Sequence, residues 1–143
     1  MNKTSKISLF SVSFHQGFTS PNIPIASFKQ GDKDLVFLLD TGSDDNVINK
    51  DALQYIDHKM VEINGSHTLS GVNGTIPVQH CDIDFSCEEE TYNARFLIAD
   101  FSDAFGVIKR NHCITIHGVL GSKFLKEHNV VLDFKNLAAY SKK

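Results

Sequence analysis

Several things the sequence does not contain narrow its reading. No stretch approaches the roughly 20 consecutive apolar residues that a membrane-spanning helix requires, so no such span is expected. No excess of positive charge is present either: 14 Lys and Arg against 17 Asp and Glu leave a formal net charge of −3. Phosphate binding draws on clustered Lys and Arg, so a nucleic-acid partner is not expected, and Lys109-Arg110 reads as a solvated pair. Cysteine is scarce, and Cys81, Cys87 and Cys113 are an odd number with no Cys-x-x-Cys spacing, which favours free thiols in a reducing compartment. The seven histidines are scattered, and His112 and His117 with Cys113 between them form no recognised metal pattern, so neither a metal nor a cofactor is implied. Tryptophan is absent while Phe is used 11 times, within an otherwise ordinary globular composition of 41% hydrophobic and 22% charged residues. Nothing reads as a linker or an internal repeat, so residues 1–143 are expected to form one domain.

What is present is mostly period-two alternation, the mark of strands half buried against a core. After a polar, basic start over residues 1–6, the stretch Ile7-Ser8-Leu9-Phe10-Ser11-Val12-Ser13-Phe14 alternates apolar and polar, which reads as a strand and not a signal peptide. The expectation is a soluble, cytoplasmic protein. Residues 23–28, a turn at Gly31-Asp32-Lys33 and the apolar run Leu35-Val36-Phe37-Leu38-Leu39 predict a hairpin feeding a central strand. A short strand at 46–49 and a helical turn at 50–55, capped by Asn49 or Asp51, follow. Residues 69–78 carry Asn73-Gly74 between β-prone residues and predict a flexible, glycine-rich hairpin. Strands are expected at 81–87 and 91–99, with Glu88-Glu89-Glu90 as a solvated turn. Near the end, Ile114-Thr115-Ile116 leads through His117-Gly118 into Val119-Leu120-Gly121. Ser122 caps a short helix over 123–128, and strands at 130–134 and 137–140 flank a turn at Lys135-Asn136.

The chemistry is concentrated where the central strand ends. An Asp leaving a buried strand into Thr-Gly puts a carboxylate in a tight turn, where backbone and hydroxyl donors can hold it. The tripeptide by itself is weak evidence, because strand-ending turns use these residues routinely. Its context is specific: Leu38-Leu39-Asp40-Thr41-Gly42-Ser43-Asp44-Asp45-Asn46-Val47-Ile48 resembles the active-site segment of the retropepsin-like aspartic proteases. Gly118-Val119-Leu120-Gly121-Ser122-Lys123-Phe124-Leu125 is similar to the second signature of that family, two apolar residues and a Gly before a short helix, and the glycine-rich hairpin lies between the two where the family keeps its flap.

The resemblance covers residues 23–137 and implies an all-β fold, a small closed barrel with one short C-terminal helix. It implies an aspartic endopeptidase with Asp40, Thr41 and Gly42 as catalytic residues. Substrate contacts would come from Ser43, Asp44 and Asp45 and from the flap tip Gly71, Val72, Asn73 and Gly74. Peptide hydrolysis of this kind needs one carboxylate that takes a proton and one that gives it. The chain has one such triplet, so the expected partner is a second copy, with two Asp40 side chains sharing a proton at the two-fold axis and a peptide or protein as substrate. The dimer contact is expected at residues 9–14 or 137–140, since free edge strands invite pairing. By the same resemblance Thr41 cross-links the two active-site loops. Ser43 is expected to hydrogen-bond the outer oxygen of Asp40 and give a more acidic optimum. In retroviral enzymes the position of Asp44 pairs with an Arg just after the second signature glycine, but here Ser122 stands there and Lys123 follows.

Other readings are weaker. The same fold without turnover, as a peptide-binding or dimerisation module, is the alternative. The phosphate loop of actin-like and sugar-kinase ATPases needs two large domains, which 143 residues cannot supply. Haloacid-dehalogenase phosphatases want Asp-x-Asp, and a calcium loop wants alternating oxygen ligands that residues 40–50 lack.

Overall fold

The computed structural model describes residues 14–16, 22–62, 68–71, 74–77 and 79–141, with backbone alone for 68–71 and 74–77. The expected strand over residues 7–14 therefore lies outside the described residues except for Phe14, which is helical and fully buried.

The predicted hairpin forms from β1 (Ile25–Gln30) and β2 (Lys33–Leu39), antiparallel, with Gln30 opposite Lys33. The turn needs Gly31, whose φ of 61° is open to glycine at no steric cost. Then come β3 (Asn46–Asn49), a 3-10 turn (Lys50–Gln54) and the short β4 (Lys59–Val61). β5 (Thr68–Gly71) and β6 (Gly74–Pro77) pair with Gly71 opposite Gly74; Val72, Asn73 and Val78 lie outside the described residues. β7 (His80–Cys87) and β8 (Glu90–Ala99) form a long antiparallel pair turning at Glu88-Glu89. The tail carries α1 (Ser102–His112), β9 (Gly118–Leu120), α2 (Ser122–Glu127), β10 (Val130–Asp133) and β11 (Ala138–Ser141).

Six strands close into a barrel in the order β1-β2-β9-β3-β8-β7, with Lys29 of β1 opposite Ser86 of β7 completing the ring and β4 added on β7. β9 is wedged between β2, to which it runs parallel, and β3, to which it runs antiparallel. That wedge is tight enough to require glycine: a Cβ on Gly118 would lie 2.5 Å from the Val47 carbonyl oxygen.

Alternation along the strands fills the barrel. Leu35, Phe37 and Leu39 of β2 point inward with Ile83, Phe85 and Phe96 from β7 and β8. Phe85 sits at the centre of an aromatic cluster, its ring 4.9 Å from Phe28, 5.2 Å from Phe37 and 5.9 Å from Phe124 of α2. Phe buries a large ring without a polar atom to satisfy, which suits a narrow barrel better than Trp. The other face of β2 is also covered: Val36 and Leu38 pack with Ile25, Val119, and Phe105 and Ile108 of α1. The expectation of one short helix thus needs correction, because α1 was not foreseen and closes the outer face of the hairpin. Two details of the tail complete the picture, the second a correction of the expected cap. Ile114-Thr115-Ile116 is irregular and β9 begins at Gly118, and Gly121 is the N-cap of α2 while Ser122 is its first residue.

Candidate active site

Asp40 follows the last residue of β2, and its backbone N–H donates to the carbonyl of Leu120 on β9 at 3.0 Å. The loop then turns sharply. Gly42 N–H donates to Asp40 Oδ1 at 2.9 Å, and Ser43 N–H to the Asp40 carbonyl at 3.2 Å, so the carboxylate is held by the turn that it starts. A Cβ at position 42 would lie 3.2 Å from that same oxygen, so a side chain there would press on the carboxylate and force it to shift by a few tenths of an ångström. Thr41 is exposed, and its hydroxyl has no partner among the described residues.

The junction between β9 and α2 clamps this loop from below. Ser122 N–H donates to the Ser43 carbonyl at 2.7 Å and Lys123 N–H to the Asp44 carbonyl at 3.2 Å, so loop oxygens satisfy amides that the start of a helix leaves open. The Ser122 hydroxyl lies 3.0 Å from both the Thr41 and the Ser43 carbonyl oxygens. Gly121 N–H donates to Asn46 Oδ1 at 2.9 Å, and the same side chain donates through Nδ2 to the Arg95 carbonyl, tying β3 to β8. Gly121 fits only as glycine: a Cβ there would meet the Asp45 carbonyl oxygen at 2.5 Å and that of Ser43 at 2.6 Å. The two sequence signatures are therefore two halves of one backbone contact.

One expectation is corrected here. The Ser43 hydroxyl donates to the Asp45 carbonyl at 2.8 Å, not to Asp40, so its single proton is committed elsewhere and the argument for a more acidic optimum falls with it. The departure from the retroviral pattern at Ser122 is visible in the loop: Lys123 Nζ reaches Asp45 Oδ1 at 3.1 Å, while Asp44 is exposed and its carboxylate has no partner among the described residues. With a Ser at 122 the clamp on the loop is made by a hydroxyl and two amides instead of a guanidinium.

The structure brings Asp40, Thr41, Gly42, Ser43, Asp44 and Asp45 together in one loop. Gly71 and Gly74 pair at the end of the β5–β6 hairpin, with Val72 and Asn73 outside the described residues. Three supporting residues were missed from sequence. Asn46 was legible only as part of a strand, and Ser122 only as a helix cap. His117 stands at the neck of β9: its N–H donates to the Val36 carbonyl at 2.8 Å, its Nδ1 accepts the Val36 N–H at 3.0 Å, and its carbonyl accepts from Asn49 N–H at 2.8 Å. The imidazole stacks on Tyr55, with ring centroids 5.2 Å apart, and burial holds its pKa below the usual 6.5. Its place just before the glycine of a signature was the one available clue.

Cavities among the described residues include one of about 460 Å³ beside Asp45 and Lys123, one of about 680 Å³ between Tyr55, His117 and the segment after α1, and one of about 520 Å³ beside Gln30 and Asp57; Asp40 lines none of these three. Among the described residues no group of three or more His, Cys, Asp or Glu could hold a metal ion, and no helix is long and apolar enough to cross a membrane. A family profile described as aspartyl protease matches residues 26–124, which takes in the Asp40 loop, the β5–β6 hairpin and the clamp. A search of curated proteins gave no match.

Proposed function

Since this chain belongs to the retropepsin-like family of aspartyl proteases, we propose that it is an active endopeptidase assembled as a homodimer, with all of residues 1–143 in one domain. The observation that carries the reading is the Asp40 loop, which offers one oriented carboxylate and a Thr41 hydroxyl without a partner among the described residues. A single carboxylate cannot both accept and donate the protons that amide hydrolysis moves, and a second copy supplies the other.

In this reading the two Asp40 carboxyl groups share one proton, because like charges a few ångströms apart cannot both stay ionised. The ionised group takes a proton from a water held between them, and the hydroxide attacks the scissile carbonyl carbon. The protonated group gives its proton to the carbonyl oxygen, and a proton then passes to the leaving nitrogen as the C–N bond breaks. Thr41 cross-links the two loops, Ser43, Asp44 and Asp45 form the edge of the substrate groove, and residues 71–74 close over an extended peptide. The groove would be completed only by the second chain. The tail strand β11, paired antiparallel with β10, and residues 9–14 are the two candidate dimer contacts in this reading. Three free thiols support a reducing, cytoplasmic setting.

Mixing wild-type chains with Asp40→Asn chains tests the shared site. An equal mixture leaves about one quarter of the dimers with two Asp40 groups, so activity per wild-type chain should fall by about half. Activity proportional to the wild-type chain alone would mean that each chain works by itself.

A further inference from the structure

We propose that Ser122 is a positioning residue that fixes the Asp40 carboxylate through the single peptide group joining Thr41 to Gly42, an inference that rests on the protease reading above. That peptide is held at both ends. Its carbonyl oxygen accepts from the Ser122 hydroxyl at 3.0 Å, and its N–H, that of Gly42, donates to Asp40 Oδ1 at 2.9 Å. A trans peptide is planar with its C=O and N–H pointing in opposite directions, so a bond at each end fixes its rotation and aims the N–H at the carboxylate. Donation to the carbonyl also polarises the group and strengthens the N–H as a donor, as in other hydrogen-bonded chains.

The neighbouring contacts isolate the hydroxyl as the group that matters. Ser43 O also lies 3.0 Å from it but has the Ser122 N–H at 2.7 Å as a second donor, whereas Thr41 O has no other donor among the described residues. Ser43 cannot substitute, because its own hydroxyl is given to Asp45 O, and Lys123 is turned to Asp45. The hydroxyl is also delivered rigidly. Gly121 touches the loop backbone on one side of Ser122, and the N–H groups of Ser122 and Lys123 are both bonded to loop carbonyls. Removing it leaves the clamp standing and frees one peptide to rock.

The test compares Ser122→Ala and Ser122→Thr with wild type in two readouts: hydrogen exchange of the Gly42 amide by NMR, and kcat and KM on a cleaved peptide. Losing one hydrogen bond at this peptide should speed Gly42 exchange roughly tenfold and lower kcat roughly tenfold with KM within about twofold, and Thr should restore both. A role in stability alone would lower the melting temperature without moving kcat apart from KM. Should the Ala variant not fold, Ser122→Cys, with a much weaker donor of similar shape, carries the same expectations. Unchanged Gly42 exchange, or unchanged kcat in an enzyme that cleaves, would overturn the inference. A wild type that cleaves nothing would count against the protease reading, while the exchange measurement would still decide the role of Ser122.

Discussion

Replacing Gly121 with Ala should cost this protein both stability and function, and the amount follows from what a methyl would meet. Its Cβ would stand 2.5 Å from Asp45 O, 2.6 Å from Ser43 O and 2.8 Å from the Asp45 carbonyl carbon. All three are backbone atoms of the loop that carries Asp40, so no side chain can swing away to relieve the overlap. The φ of −94° at this position is ordinary, so the penalty is steric and not conformational. Overpacking of this kind costs about 3 kcal/mol, the upper part of its usual span. For a domain of this size that is a loss of roughly 10 °C in Tm. Separating the loop from the β9–α2 junction by several tenths of an ångström also disturbs every clamp bond, and a displacement near 1 Å costs on the order of a hundredfold in turnover. Gly106→Ala is the matched control. There a Cβ meets nothing closer than Arg110 Nη1 at 3.4 Å, the end of a flexible side chain, within α1. The same substitution should therefore raise stability by about 0.5–1 kcal/mol through helix propensity. Scanning calorimetry of the two variants with a peptide-cleavage assay would show opposite shifts in Tm. A Gly121→Ala protein with the Tm and turnover of wild type would refute the backbone contact between the two signatures.

Other expectations concern pH, thiols and charge. His117 is held neutral in the fold, by burial and by accepting the Val36 N–H, so the unfolded chain binds more protons and this contribution to stability is complete above about 6.5 and lost as pH falls toward the lower folded value. Melting temperatures measured from about pH 7.5 down to about pH 5 should decline, and His117→Gln should flatten that decline; equal slopes would remove His117 as its cause. Cys81 and Cys87 are buried, with the Cys81 thiol pushed up to about 11 by burial, whereas Cys113 is exposed. A thiol reagent should titrate Cys113 alone in the native protein and the other two only on unfolding, and rapid native labelling of Cys81 would contradict the closed barrel. Lys123→Ala removes an exposed ion pair and should change stability by less than about 1 kcal/mol, with a difference that shrinks in high salt. A larger, salt-independent loss would mean that the charge, and not the hydroxyl and amides, holds the loop.

Much of this was legible in the chain because local chemistry and fold agree. Gly31 marks a turn, β2 is a continuous apolar run, β7 alternates, and the Asp40 loop and the Gly121 junction carry glycines at their close approaches. Helix α1 escaped because its apolar positions are few and Gly106 interrupts them, yet its existence was implicit in β2. A strand apolar at Val36 and Leu38 as well as at Leu35, Phe37 and Leu39 needs cover on both faces. The Ser43 expectation failed, and the partner of Lys123 was not foreseen, for a different reason. Which of several oxygens a hydroxyl or ammonium group reaches depends on loop geometry to a fraction of an ångström, and residue order does not encode that. Ser122 shows the same limit in reverse, since a serine at a helix start reads as a cap and its hydroxyl instead faces the carbonyls of another segment.

The most direct measurement is cleavage of an unfolded protein or a peptide library from about pH 3 to about pH 7, with wild type and Asp40→Asn side by side and a statine-type inhibitor added. The account predicts cleavage by wild type that the inhibitor blocks and that Asp40→Asn, folded and dimeric like the parent, lacks. A folded, dimeric wild type that cleaves nothing at any pH would contradict it and leave a peptide-binding module of the same fold. Cleavage that survives Asp40→Asn would place the chemistry elsewhere.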